Sequence, residues 1–154
     1  MASIAADHAH GAVKAPSLFL ALTELPRALM ETGSLPWAAP ILLQAPKGDG
    51  HPVMLLPGFM ASDYSMKAMH RYLKKLGYDP HHWELGRNLG HKAVGQDGEK
   101  MIARLDEIHA KTGRKVSLIG WSLGGAFARM LSRRRPDIVR QVISLGSPIT
   151  GTPK

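Results

Sequence analysis

Cysteine is missing from all 154 residues, which removes disulfides, a thiol nucleophile, iron–sulfur clusters and cysteine-ligated zinc from consideration. The redox state of the compartment therefore has no bearing on the fold. Also missing is a run of roughly 20 apolar residues able to span a bilayer. The least polar stretch, residues 34–46, is broken by Pro36, Pro40 and Pro46. The start, MASIAADHAHGAVK, lacks a basic region leading into an apolar stretch and a small-residue cleavage site. No secretory signal is read there, and a cytoplasmic location is the expectation. GxxxxGKS/T does not occur, and residues 120–125 do not fit GxGxxG, so neither a nucleotide nor a flavin cofactor is inferred. Internal repeats and low-complexity tracts are absent too. Acidic residues are scarce beside basic ones, 12 against 20, an excess of +8 whose location decides its meaning.

What is present suits one globular domain: 44% apolar and 21% charged residues exclude disorder and collagen, and a chain of this length buries roughly 70% of its unfolded surface. Residues 1–14 read as a flexible lead, 15–50 as a helix followed by a Pro-rich connector, and 51–154 as the main domain. From Ser17, the spacing of Leu18, Leu22, Leu25 and Leu29 predicts an amphipathic helix, kinked at Pro26 and ended by Gly33. Its apolar face covers the core or touches a membrane surface, core cover being the preferred reading. Val53 to Leu56 is wholly apolar and closed by Pro57-Gly58, the pattern of a strand buried on both faces. Met66, Met69, Tyr72, Leu73 and Leu76 then recur at helical spacing up to Gly77. Tyr78 to Leu85 is a weaker strand, put near a sheet edge by Pro80, and residues 86–98 read as loop. Met101, Leu105 and Ile108 mark a helix ending near Gly113, and Val116 to Ile119 a second buried strand. A helix carrying Phe127, Met130 and Leu131 stops before Pro136, and Val139 to Leu145 is a further strand. Strands alternating with helices predict right-handed βαβ units and a mainly parallel sheet.

The most informative segment is Val116-Ser117-Leu118-Ile119-Gly120-Trp121-Ser122-Leu123-Gly124-Gly125: a strand, then GxSxG, then a helix. Catalysis by serine at such a turn needs the hydroxyl exposed at the carboxyl edge of the sheet, and Gly120 and Gly124, lacking Cβ, let strand and helix pack closely enough. Ser122 then stands at a helix N-terminus, where N–H groups and the helix dipole favour developing negative charge. This segment resembles the nucleophile elbow of the α/β-hydrolase fold, in its lipase and esterase branch. Val53 to Phe59 resembles that family's strand and oxyanion loop, with Pro57-Gly58 where His-Gly is frequent. Gln141 to Pro148 looks like its sixth strand and following loop, so the resemblance spans residues 52–151. It implies a mainly parallel sheet with helices on both faces, truncated after the sixth strand. It also implies Ser122 as nucleophile, with the Leu123 and Phe59 N–H groups as oxyanion donors. Trp121, at the elbow's variable position, is read as a packing residue.

An activated serine needs a histidine held by an acid, and in this family the order is serine, acid, histidine. After Ser122 the sequence holds Asp137 and no histidine, and Asp137 falls at the wrong edge of the sheet. His8, His10, His51, His70, His81, His82, His91 and His109 all precede Ser122. His91 sits in a glycine-bracketed loop able to approach the carboxyl edge, while adjacent His81 and His82 would face opposite sides of a strand. The resemblance thus implies the amino-terminal half of an ester hydrolase, inactive by itself, acting on a small-molecule or lipid ester without cofactor or metal. Acyl transfer on the same fold, or a degenerate fold that only binds, stays open. The basic clusters Arg71, Lys74, Lys75; Lys111, Arg114, Lys115; and Arg133, Arg134, Arg135 lie at or just after helix C-termini. The dipole favours cations there, so no nucleic-acid partner is read, while peripheral membrane contact and oligomeric state stay open. A chain ending at Lys154 would leave its last strand an unpaired edge. The isolated 154-residue chain is therefore expected to be oligomeric or poorly soluble; in size-exclusion chromatography, a sharp monomer peak with cooperative melting is the contrary outcome.

Overall fold

The two mostly apolar runs, residues 53–56 and 116–119, become the two inner strands of the sheet. The computed structural model describes residues 37–148 together with Thr23, Met30, Gly33 and Ser34. The expected lead over residues 1–14, most of the expected helix from Ser17 and the loop 150–154 lie outside the described residues. The chain divides into two units, Met1–Gln44 and Ala45–Lys154. Within the first, residues 37–42 are helical. The second holds strands β1 (Pro52–Leu56), β2 (Asp79–His82), β3 (Val116–Trp121) and β4 (Val139–Leu145). It also holds helices α1 (Lys67–Leu76), α2 (Glu99–Thr112) and α3 (Leu123–Arg134). No helix among the described residues is long and apolar enough to cross a membrane.

All pairings are parallel, in the order β2-β1-β3-β4. The chain leaves β1 for one side through α1 and returns to its other side through α2, so the direction of winding reverses between β1 and β3. Open α/β sheets bind ligands at the carboxyl end of such a reversal. Period-two alternation sorts the side chains: Val53 and Leu55 meet Met66, Leu73 and Ile119 on the α1 face. Met54 and Leu56 meet Met101, Leu105, Leu118, Phe127 and Leu131 on the face covered by α2 and α3. Helices therefore lie on both faces, as a buried parallel sheet requires.

Some boundaries differ from expectation. The strand expected over Tyr78 to Leu85 is an edge strand, but it stops at His82. The Asp63 carboxylate accepts the Trp83 and Glu84 N–H groups, at 3.2 and 3.3 Å, and Glu84 turns to φ +59, which takes the chain out of the sheet. Residues 86–98 are not all loop, since His91–Val94 forms one helical turn anchored by buried Val94. The run expected as a sixth strand in family order is the fourth strand of this sheet, counted among the described residues. Gly77 ends α1 at φ +94 with its N–H on Leu73 and Lys74 carbonyls, a left-handed cap that a side chain would strain.

At the amino ends of the strands a polar network replaces apolar packing. Buried His51 presents Nδ1 to Asp49 and Nε2 to Ser117 Oγ at 2.9 Å, and Gln141 Nε2 donates to the same oxygen at 3.3 Å. Arg140 and Arg114 reach the other Asp49 oxygen at 3.0 and 3.1 Å. The hydrogen bond from His51, then that from Arg140, hold the Asp49 carboxyl far below the usual carboxylate range. Ser117→Ala would leave His51 Nε2 buried without its partner, and a loss of about 1–3 kcal/mol is expected in chemical denaturation. Because the folded-state pKa of Asp49 is depressed, its contribution is present above the ordinary value of 3.8 and lost as the pH falls below it. Asp49→Asn should therefore flatten the acid limb of a stability–pH profile, and an unchanged limb would count against the network.

Candidate active site

At the carboxyl end of β3 the backbone turns abruptly. Ser122 takes φ +51 and ψ −118 as the cap residue of α3, a conformation that costs of order 1–3 kcal/mol and persists only where its surroundings enforce it. The enforcement is backbone against backbone. A Cβ on Gly120 would stand 2.3 Å from the carbonyl of Gly124, and one on Gly124 would stand 2.2 Å from the Leu56 carbonyl oxygen. Hydrogen bonds complete it: Ser122 N–H donates to Leu145 O at 2.9 Å. The Ser122 carbonyl accepts from Ser147 Oγ at 2.6 Å and Gly125 N–H at 3.0 Å.

Leu56 pairs with Gly120, so the residues following β1 arrive beside Ser122. A Cβ on Gly58 would lie 3.4 Å from Ser122 Cβ, which brings the next residue, Phe59, to the rim of the same site. Leu123 opens α3, where its N–H has no intrahelical partner and the dipole is positive. Neither Phe59 N–H nor Leu123 N–H has an acceptor among the described residues. Phe59 and Leu123 line one cleft of about 450 Å³ with Leu89, His91, Lys92 and Phe127. Its walls are mostly apolar, with an imidazole and an ammonium at the mouth.

All five residues singled out from the sequence, Phe59, Gly120, Ser122, Leu123 and Gly124, therefore meet at one end of β1 and β3. Trp121, read as packing, is instead 55% exposed: β4 ends beside it at Leu145 and leaves its ring uncovered. His91 starts the helical turn at the cleft and is exposed. The other described histidines are engaged elsewhere. His81 meets Asp79 at 2.8 Å, His82 stacks on His70 with centroids 4.4 Å apart, and His109 contacts the Arg114 carbonyl at 2.9 Å. Burial, and then the neighbouring His82, push the His70 pKa down. His51 belongs to a Ser117–His51–Asp49 chain, buried at Ser117 and His51 and exposed at Asp49, with Ser117 at the opposite end of β3, about 16 Å from Ser122 at strand rise. Asp137 accepts Arg135 Nε and Nη2 at 3.1 and 2.9 Å, which keeps its carboxyl below the usual range, and it precedes β4 at that same far end. Among the described residues no three imidazoles or carboxylates converge as metal ligands would.

Two residues of the site escaped the sequence reading. Ser147 lies in the run compared with a strand and loop, but nothing local shows that its hydroxyl holds the Ser122 carbonyl. Asn88 is fully buried and bonded to the loop that carries Phe59, with Nδ2 on Pro57 O at 2.8 Å. Only its asparagine type within Gly86 to Gly90 hinted at a turn-forming polar residue.

No model of a known protein family matches the sequence. A triacylglycerol lipase of Vibrio cholerae serotype O1 is 30% identical over 105 residues, 66% of this chain and 34% of the relative. The chain thus spans about a third of the length of the curated relative it matches. Among solved structures, the mature form of a Bacillus licheniformis lipase superposes with a TM-score of 0.53 at 24% identity, covering 68% of this chain and 44% of that one. A Paleococcus ferrophilus monoacylglycerol lipase gives 0.53 at 22% identity, with 71% and 43% covered. At such identities the structural likeness concerns the fold.

The glycine contacts predict an order of damage. A methyl on Gly124 meets the fixed Leu56 and Pro57 carbonyls, while one on Gly125 meets first the rotatable Ser147 hydroxyl, at 1.8 Å. Gly124→Ala should cost about 3 kcal/mol or more in denaturant unfolding and Gly125→Ala less; the reverse order would refute the close approach.

Proposed function

We propose that this chain, which has the α/β-hydrolase fold, carries the nucleophile half of a serine ester hydrolase of lipase or esterase type. The observation that carries the reading is Ser122, at φ +51 between Gly120 and Gly124, heading α3 beside the Gly58-Phe59 turn. Ser122 Oγ attacks the ester carbonyl carbon, a base takes the hydroxyl proton, and the carbonyl oxygen becomes an oxyanion. Phe59 N–H and Leu123 N–H receive that charge at the cleft whose apolar wall includes Leu89 and Phe127. Collapse breaks the carbon–oxygen bond to the alcohol, which leaves with the proton, and water releases the acyl group by the same steps in reverse. No histidine follows Ser122. We assign the acid and the base to the part of the fold that the longer relatives have beyond the matched segment. The apolar walls of the cleft suit the hydrocarbon part of a small-molecule or lipid ester.

The same apolar cleft also suits a second reading, a fold that binds an ester-like ligand without turning it over. A single experiment separates the two. With an aryl phosphonate ester, the full-length protein should form a phosphonyl adduct on Ser122, detected by mass spectrometry. Ser122→Ala should abolish the adduct and lower kcat for ester hydrolysis by about 10⁴-fold or more. Undiminished turnover in that variant would overturn the proposal, and absence of both adduct and turnover in the wild type would favour the binding fold.

A further inference from the structure

We infer that Asn88 is a positioning residue for oxyanion stabilisation, holding the Phe59 N–H against Ser122; the inference rests on the acyl-transfer reading above. Asn88 lies on the connection after β2 and is 0% exposed. Each of its four polar groups is used. Nδ2 donates to Pro57 O at 2.8 Å, the carbonyl accepts Met60 N–H at 2.7 Å, and the N–H donates to Ala61 O at 2.8 Å. Oδ1 accepts Gly90 N–H at 3.1 Å, which orients the amide so that Nδ2 faces the loop.

Three of these bonds grip the loop on both sides of Phe59 and none touches Phe59 itself. Within the loop, Ala61 N–H closes a turn onto Gly58 O at 3.1 Å, and Met60 takes φ +59, an uncommon conformation for a residue with a side chain. The Met60 N–H that this turn directs away from the loop is the one bonded to Asn88. The grip leaves Phe59 N–H without an acceptor among the described residues, beside the Gly58 contact with Ser122. A buried amide that only filled space would need its own polar groups satisfied and no more. This one fixes the Pro57 end of the segment carrying one candidate donor, while the Asn88 main chain fixes the Met60–Ala61 end.

A nearby bracket provides a contrast. Asp63 also ties the two loops together, through Trp83 and Glu84 N–H, but it grips the far end of the connection and not the residues flanking Phe59. Its two oxygens each accept one of those N–H groups and an asparagine would turn a donor towards one of them, so Asp63→Asn should lose stability as well. It serves as the structural control.

The test uses the full-length protein, an aryl ester as substrate and an alkylboronic acid as the probe, whose tetrahedral adduct with Ser122 carries the charge that the oxyanion site receives. Asn88→Asp keeps the side-chain shape but replaces the donor facing Pro57 O with an acceptor, and Asn88→Ser is the second variant should the first not fold. Each should lower kcat by about 10²-fold and weaken boronate binding in proportion, with KM changed less than about twofold. Asp63→Asn, at a comparable loss of Tm, should leave kcat and boronate affinity near wild type. If the Asn88 variants lose no more kcat than Asp63→Asn at matched Tm, or lose KM and kcat alike, Asn88 is a structural bracket and the inference falls while the hydrolase reading stands. If wild-type turnover survives Ser122→Ala, the hydrolase reading itself falls and takes this inference with it.

Discussion

The close backbone approach at Gly120 and Gly124 is the constraint on which the rest depends. With a side chain at either position, α3 could not begin so near β1 and β3, and Ser122 would relax out of its left-handed turn. The contact does two things at once. It sets Ser122 at the carboxyl end of β3, and it starts α3, with the Leu123 N–H, directly after it. Leu145 O and Ser147 Oγ then hold the serine backbone from the β4 side. Strain at Ser122 is thus maintained by rigid neighbours on three sides, as a conformation costing kilocalories must be.

The two ends of the sheet are built on opposite principles. At the amino end, Asp49, His51, Ser117 and Gln141 join β1, β3 and β4 through polar side chains, with Arg114 and Arg140 neutralising the single carboxylate. Every partner there is engaged, which suits a structural clamp. At the carboxyl end the loops are stitched to one another, while the N–H groups of Phe59 and Leu123 have no acceptor among the described residues. The Ser–His–Asp order of hydrogen bonds at the amino end shows how little residue identity alone conveys about chemistry. Ser117 is 1% exposed, so no substrate reaches it.

Part of the basic excess sits at helix ends and in local pairs. Lys74 and Lys75 occupy the last turn of α1, Lys111 that of α2, and Arg133 and Arg134 that of α3, where the dipole favours cations. Arg135 reaches Asp106 and Asp137, and Arg104 joins Glu84 and Glu107 while bonding the His82 carbonyl. Exposed pairs of this kind contribute little to stability.

Much of this molecule was legible in its residues because the signals are local. Val53 to Leu56 reads as a doubly buried strand since nothing polar interrupts it, and Val116 to Ile119 since only the small Ser117 does, while Gly77 and Gly113 marked helix ends because glycine is comfortable at φ +94 and +64. The GxSxG run announced a strained serine because its glycines have a steric meaning within five residues. The tertiary structure alone decided the order β2-β1-β3-β4, the early end of β2 at His82, the uncovered ring of Trp121, and the partners of His51, Ser147 and Asn88. Each of those depends on groups 20 to 66 positions apart in sequence, such as Asp63 with Trp83, Asn88 with Pro57 and Ser117 with His51. Periodicity and turn chemistry encode the conformation of a segment. A buried hydrogen bond across such distances is selected only when packing has removed water from both partners, and no window of sequence records which two will meet.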